Sequence, residues 1–390
     1  MKILIYSPLA LENGRGGEIS AIELAAGLSM YYSVQLIDSN RMISKKILSK
    51  EVIEKKLKGL DKTKNIKYLT LNVFKRNFSI PRPRQILSLL KEIKKSDIIY
   101  TSMFNVTNVI LFIFFSFLQR NAKFIIGFRK PLSSSRIFSL YNIKYRFSIL
   151  LFTIIRKRFY IHTISKHAKI YLENFISPER INHIIHGVEI EDFKLDENAE
   201  KSHDILKFIY VGYLDDIHKG LDILIKAINN LLEKEEKLPL FFEFCGAGPL
   251  ENKIQELEIK FPEYVKYHGY VDNVNILNFY RRSDVLLFTS RREPFGRVLI
   301  EAMVGGLLII CSKTIGSIEI LKGEDFAFFL QDLSIKEIND KILKVFNLWI
   351  KQRDYFRKLQ ESSILCAQKS YSFGFEIDMF RTLIENLKDK

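Results

Sequence analysis

The stretch Arg291-Arg292-Glu293-Pro294-Phe295-Gly296-Arg297-Val298-Leu299-Ile300-Glu301-Ala302-Met303 places two carboxylates around a tight turn. Pro294 and Gly296 are turn residues, and the apolar spacing after them predicts a helix that starts at once. The amides of Gly296, Arg297 and Val298 then fall in its first turn, where the helix has no carbonyl to accept them and its dipole is positive. Such an end attracts anions. Glu293 in the loop and Glu301 two turns into the helix are acceptors suited to binding sugar hydroxyls at two separate points. Glu301 also lies four residues after Arg297, and an i,i+4 pair on an exposed helix contributes about 0.2–0.5 kcal/mol. A surface pair needs no Pro-Phe-Gly turn in front of it, so the binding role is the stronger reading.

A second candidate is Gly212-Tyr213-Leu214-Asp215-Asp216-Ile217-His218-Lys219-Gly220, set between a strand-like run and the helical run Leu221 to Leu231. A lysine at the mouth of a strand-loop-helix unit can neutralise a diphosphate. Taken alone, the segment fits a solvated loop charge better. A third is Gly14-Arg15-Gly16-Gly17-Glu18, ahead of an expected helix from Ile19 to Leu28. Glycines there let a backbone approach a phosphate or sugar. Ile19 stands where the last glycine of a GxGxxG pattern would fall, so a simple flexible turn stays open as the alternative. His183 and His186 have HxxH spacing without a nearby carboxylate or third ligand, and Cys245, Cys311 and Cys366 show no CxxC spacing. These patterns support neither a metal site nor a disulfide framework, and a reducing compartment suits them. There is no strict DxD.

Charge divides the chain. Of 60 Lys plus Arg and 45 Asp plus Glu, residues 1–200 hold 33 and 17, a net of +16, while residues 201–390 hold 27 and 28. Residues 41–170 alone carry 29 basic and 5 acidic side chains. A field of that sign attracts phosphates on nucleic acid, on anionic lipid or on a small ligand. The apolar run Val109 to Leu118 is ten residues long, about half of what a spanning helix needs, and Ser148 to Ile155, ending at Arg156, Lys157 and Arg158, is shorter still. Both fit buried core helices. The alternative is an apolar surface, rimmed by Arg120, Lys123 and Arg156 to Arg158, that docks on an anionic bilayer. Lys2 leads straight into Ile3, Leu4 and Ile5, which reads as a first strand and not as a signal peptide.

The elements that must position these residues follow a βαβ rhythm in both halves, as in parallel sheets. Strands are expected at Lys2 to Tyr6, Ser33 to Ile37, Asp97 to Thr101, Lys123 to Phe128 and Tyr160 to Thr163. A second series is expected at Phe208 to Val211, Phe241 to Cys245, Val265 to His268, Val285 to Thr289 and Leu307 to Cys311. Acidic residues from Glu189 to Glu200 mark a boundary between the series. One long helical tract, Ile335 to Gln368, and a tail helix, Phe375 to Leu387, close the chain. The economical fold is α/β, two doubly wound domains facing a central crevice: residues 1–188 joined by a C-terminal helix at 373–390, and residues 189–372.

In this order the segments resemble retaining glycosyltransferases of the GT-B fold, family 4. The resemblance rests on the Glu-Pro-Phe-Gly turn with seven residues between Glu293 and Glu301, the Gly212 to Gly220 loop, His186-Gly187-Val188, Cys245-Gly246-Ala247-Gly248-Pro249-Leu250, and Ser165-Lys166. It covers the C-terminal half well and the N-terminal half in outline. It implies that Lys219 holds a donor diphosphate, Glu301 the ribose hydroxyls, and Glu293 with the amides of Phe295 and Gly296 the transferred sugar. Gly16 and Gly17 would close on the diphosphate from the other domain, and Gly269, Tyr270 and Val271 would lie beside the base. The implied donor set is Gly16, Gly17, Gly212, Lys219, Glu293, Phe295, Gly296, Arg297, Val298 and Glu301, with Glu293 and Lys219 carrying catalysis. Two departures stand out. Family members usually have Arg where this chain has Tyr213, so either Arg297, Arg291 or Arg292 assists Lys219 or the donor binds more weakly than usual. Many also have His after the fourth strand, where this chain has Gly127-Phe128-Arg129-Lys130, which makes Arg129 an acceptor-side candidate.

The expectation is a retaining glycosyltransferase moving a sugar from a nucleotide diphosphate donor to a lipid-linked or polysaccharide hydroxyl, on the cytoplasmic face of an anionic membrane. The resemblance implies no catalytic metal and no cofactor, since Lys219 and helix amides would stabilise the leaving phosphate. A sugar-nucleotide epimerase or phosphorylase of the same fold is the alternative. Nucleic acid is not an expected partner, because the basic half shows no recognised module.

Overall fold

The structure, a computed structural model, describes residues 1–13, 16–39, 50–58, 66–71, 82–102, 106–128, 159–189, 204–234, 238–271 and 275–388. The chain forms two compact units. The first comprises Met1–His186 with Glu376–Lys390, and the second Gly187–Phe375.

The first unit contains a seven-stranded parallel sheet: β1 (Lys2–Ser7), β2 (Ser33–Ser39), β3 (Ile66–Leu71), β4 (Ile98–Thr101), β5 (Lys123–Phe128), β6 (Phe159–Thr163) and β7 (Ile181–His183). Its spatial order is β3-β2-β1-β4-β5-β6-β7, so the order reverses beside β1. All the ladders are parallel. The central strands are apolar and buried along nearly their whole length, as sheets covered on both faces must be. Helices α1 (Gly16–Ser29), α2 (Lys50–Lys58), α3 (Pro83–Ile93), α4 (Val106–Leu118) and α5 (Lys166–Glu173) connect them. Leu89, Leu90 and Ile93 of α3 share one buried cluster with Val109, Phe112 and Phe115 of α4 and with Phe124 of β5.

The second unit has a six-stranded parallel sheet: β8 (Leu206–Val211), β9 (Leu240–Cys245), β10 (Val265–Tyr267), β11 (Val285–Phe288), β12 (Leu308–Cys311) and β13 (Ala327–Phe329), in the order β10-β9-β8-β11-β12-β13. It is wound with α6 (Leu221–Lys234), α7 (Glu251–Lys260), α8 (Ile276–Arg282), α9 (Arg297–Val304) and α10 (Ile315–Leu321). Helices α11 (Ile335–Lys351) and α12 (Arg353–Ser370) follow, and α13 (Phe373–Lys388) carries the chain back into the first unit.

Three strands escaped the sequence reading, and all lie at sheet edges. β3, Ile66-Lys67-Tyr68-Leu69-Thr70-Leu71, has no regular alternation and is only partly buried, while β7 and β13 have three residues each. The expected tract Ile335 to Gln368 is two helices, because Gln352 leaves helical geometry at φ −140° and ψ 56°. The run Val109 to Leu118 divides its faces. Val109, Leu111, Phe112 and Phe115 are buried, whereas Ile110, Phe114, Phe117 and Leu118 are exposed, Phe117 by 66%. Among the described residues no helix is long and apolar enough to cross a membrane. Arg129, the Ser148 to Ile155 run and Arg156 to Arg158 lie outside the described residues.

Candidate functional site

In the second unit the loops after β8 and β11 come together. Arg291 and Arg292 donate their amides to the carbonyl of His218 at 2.7 and 3.2 Å, and Thr289 Oγ1 donates to the Lys219 carbonyl at 3.1 Å. Gly220 at φ +61° makes this approach possible, since a Cβ there would lie 2.4 Å from the Thr289 carbonyl oxygen. Asp215 fixes the loop from within: its Oδ1 accepts the amides of His218 at 2.8 Å and Lys219 at 2.9 Å. The result is that Lys219 Nζ lies 2.5 Å from Glu293 Oε2, with both side chains about one-fifth exposed. The lysine is therefore not the solvated loop charge that its own segment suggests.

Glu293 is held from behind. Its carbonyl accepts the amide of Gly316 at 3.1 Å, at the start of α10, and a Cβ on Gly316 would collide with the Phe295 carbonyl oxygen at 2.1 Å. Thr314 and Ser317 cap the N-terminus of α10 with a reciprocal capping box, which satisfies the amides beside this support. Phe295 is buried, and Gly296 takes the left-handed conformation at φ +94° that lets α9 start abruptly. Arg297 and Val298 then occupy the first turn of α9, where helix geometry supplies no intrahelical acceptor.

Glu301 sits one helix turn further in, on the same face as Arg297. Arg297 Nε donates to its Oε1 at 3.0 Å, so the i,i+4 pair does form, and Tyr280 Oη of α8 donates to Oε2 at 3.1 Å. Tyr280 is fully buried, and burial first, then the Glu301 charge, pushes its phenol well above the ordinary value, so it stays a donor. Arg291 makes two bonds to Asp222, at 2.7 and 3.0 Å, and a third to the Asp216 carbonyl. Burial raises the Asp222 carboxyl, but the hydrogen bond and charge of Arg291 together with backbone amides outweigh it and hold that carboxyl below its ordinary value. Of the three arginines proposed to assist Lys219, Arg291 is thus committed to stabilising the loop.

Gly212 donates to the Cys245 carbonyl at 3.1 Å, and Gly246 to the Gly269 carbonyl at 2.7 Å, which stacks the loops after β8, β9 and β10 in register. A Cβ on Gly246 would meet the Gly212 carbonyl oxygen at 1.9 Å. Tyr213 and Tyr270 are exposed beside these turns. The glycine loop belongs to the first unit: Gly16 and Gly17 open α1, and a Cβ on Gly17 would touch nothing within 4 Å. Packing therefore does not require a glycine at position 17. Also in the first unit, His186 Nδ1 lies 3.1 Å from Glu376 Oε1 and 3.3 Å from Ser20 Oγ, all buried. Neither His186 nor His183 belongs to a metal-sized cluster, and no group of three or more His, Cys, Asp or Glu fit for a metal occurs among the described residues.

The sequence reading missed Asp215, Tyr280, Thr289 and Gly316. Asp215 and Gly316 carry local signals, a short acidic loop residue before a helix and a Thr-Ile-Gly-Ser cap. Tyr280 carries none, because its partner lies 21 residues away across a strand.

Comparison with known proteins places this arrangement. Residues 191–361 match the family model described as Glycosyl transferases group 1. The capsular polysaccharide biosynthesis glycosyltransferase CapM of Staphylococcus aureus is 30% identical over 170 residues, 41% of this chain and 43% of that protein. The phosphatidylinositol N-acetylglucosaminyltransferase gpi3 subunit of Schizosaccharomyces pombe is 28% identical over 152 residues, 38% of this chain and 32% of that one. The chain thus matches these curated relatives over less than half of their length. Among solved structures, Anabaena HepE in complex with UDP and glucose aligns over 100% of both chains with a TM-score of 0.74 and 16% identity. A glycosyltransferase from Rickettsia africae covers 99% of this chain and 98% of its own with a TM-score of 0.71 and 20% identity. The two parallel-sheet α/β units are those of the GT-B fold.

Proposed function

We propose that this chain, which belongs to the glycosyl transferases group 1 through residues 191–361, is a retaining glycosyltransferase that takes its sugar from a nucleoside diphosphate donor. The observation that carries the reading is the convergence of Lys219 and Glu293 at the mouth of α9. Lys219 and the first-turn amides of α9 supply positive charge where a leaving diphosphate would develop negative charge, the interaction that lowers the barrier for such a departure. Glu293 then positions the sugar, and Glu301 accepts the ribose hydroxyls. In this account no side chain acts as a covalent nucleophile: the departing phosphate oxygen takes the proton of the incoming hydroxyl on the same face of the sugar. Positioning and charge stabilisation carry the rate. The chemistry needs no cofactor and no metal beyond these groups. The presence of UDP in the HepE complex supports a nucleoside diphosphate as the leaving group.

The acceptor in this reading is a lipid-linked or polysaccharide hydroxyl presented at an anionic membrane surface. Its support is the first unit. Ile110, Phe114, Phe117 and Leu118 form an exposed apolar stripe along α4 at helical spacing, and residues 82–123 around it carry seven basic and two acidic side chains. Gln119, just past α4, donates to the Lys94 carbonyl at 3.2 Å, which brings the basic end of α3 beside the stripe. An amphipathic helix of this kind, apolar on one face with cations nearby, binds an anionic lipid interface. The occupant proposed for the stripe is therefore the bilayer.

Incubating the protein with a panel of nucleotide sugars and analysing products tests the reading. Sugar transferred with retained anomeric configuration supports it. Conversion of the donor without an acceptor assigns the site to an epimerase instead and overturns it.

A further inference from the structure

Glu301 presents two oxygens, and the protein holds both of them: Oε1 by Arg297 Nε at 3.0 Å and Oε2 by Tyr280 Oη at 3.1 Å. The two donors differ in kind. Arg297 rides on the same helix as Glu301, is 22% exposed, and moves with whatever α9 does. Tyr280 comes from a separate element, α8, and is fully buried. Glycine suits this packing: a Cβ on Gly305, just past the end of α9, would lie 2.9 Å from the Tyr280 Cβ, so a side chain there would push the tyrosine aside. The enclosed phenol thus reaches Glu301 Oε2 from a separate buried element, while Arg297 holds the other oxygen from the same helix.

We propose that Tyr280 is the positioning residue for the Glu301 carboxylate, orienting it so that its remaining lone pairs accept both hydroxyls of a vicinal diol on the donor's ribose. This inference rests on the reading of Glu301 as the ribose contact. Because Arg297 and Tyr280 already donate, and an ionised carboxylate can only accept, the site selects ligand groups that are donors at two adjacent positions. A ribose presents such a pair, and a deoxyribose presents half of it. A wrongly aimed carboxylate keeps its charge but loses the simultaneous fit, so the effect of Tyr280 appears as lost discrimination between the two sugars.

The test is Tyr280→Phe, which removes one oxygen and keeps the packed ring. Binding of UDP and of its 2′-deoxy and 3′-deoxy forms is measured by calorimetry, together with KM and kcat for UDP-glucose and the thermal midpoint. In the wild-type protein each deoxy form is expected to bind about tenfold more weakly, the magnitude of one hydrogen bond to a charged group. In Tyr280→Phe that ratio is expected to fall to within about twofold, with KM for the ribonucleotide donor raised and kcat nearly unchanged. An unchanged ratio in the variant overturns the inference. So does an equal loss on all three ligands accompanied by a lowered thermal midpoint, which marks a purely structural tyrosine. Glu301→Gln separates the two levels: if it leaves UDP binding intact, the reading of Glu301 as the ribose contact fails first and this inference fails with it.

Discussion

Lys219 and Glu293, 74 residues apart in the chain, meet at 2.5 Å between Nζ and Oε2. The contact joins the loop after β8 to the loop after β11, and neither loop brings its residue there without help. Asp215 folds the first by accepting two of its amides, and Gly316 supports the second at the carbonyl of Glu293. The side chains of the two residues are each other's partner across this contact. In the proposed function a diphosphate replaces the carboxylate as the partner of Lys219 and leaves Glu293 to accept from the sugar.

If Gly316 is the rear support of that loop, Gly316→Ala pushes the Phe295 carbonyl away, because the new Cβ would lie 2.1 Å from its oxygen. Overpacking of this kind costs about 1–3 kcal/mol, so the variant is expected to melt several degrees lower and to bind UDP more weakly. Gly17→Ala is the matched control. Its Cβ meets nothing within 4 Å, and its thermal midpoint is expected to equal that of the wild type. A Gly316→Ala protein with unchanged melting and binding contradicts the supporting role.

Acid should weaken the second unit through Glu243. Burial raises its carboxyl, but hydrogen bonds from His268 and Arg282 outweigh burial and hold it below the ordinary 4.5. A group depressed on folding contributes stability above its unfolded value and loses it as pH falls through the folded one. Wild-type protein is therefore expected to lose thermal midpoint steadily below about pH 4.5, and Glu243→Gln, less stable at pH 7, should show a shallower fall. Parallel slopes for the two proteins from pH 5 to pH 3 contradict the assignment.

The exposed stripe on α4 gives a membrane prediction. Wild-type protein should float with vesicles of phosphatidylglycerol and not with those of phosphatidylcholine. Phe114→Ser with Phe117→Ser removes two rings that are 51% and 66% exposed. Flotation is expected to fall by about tenfold or more while the thermal midpoint and UDP binding stay put. Equal flotation by the variant, or self-association through this face in sizing experiments, contradicts the bilayer as occupant.

What the sequence revealed follows from where the physics is local. The central strands are continuous apolar runs buried on both faces, and they were legible almost to the residue, as Lys123 to Phe128 shows. β7 and β13 were not, because three residues at a sheet edge leave too little pattern. Glu293 and Glu301 stood out through turn chemistry and spacing, whereas Lys219 was singled out only through the family resemblance. The residues that hold them did not: Tyr280 reads as an ordinary helix aromatic until its hydroxyl is seen against Glu301, and the i,i+4 pair of Arg297 with Glu301, weighed in the sequence against a binding role, is formed. The Val109 to Leu118 run mixes its signals because one face of α4 is core and the other is surface, a division that uniform apolarity conceals.

The central claim is that Lys219 and Glu293 carry sugar transfer, and steady-state kinetics of Lys219→Ala and Glu293→Gln with a nucleotide sugar donor test it most directly. Removing a preorganised charge that acts on the transition state costs about 10²–10³ in kcat, and both variants are expected to lose that much while retaining the wild-type thermal midpoint within a few degrees. Turnover by either variant within about threefold of wild type contradicts the account.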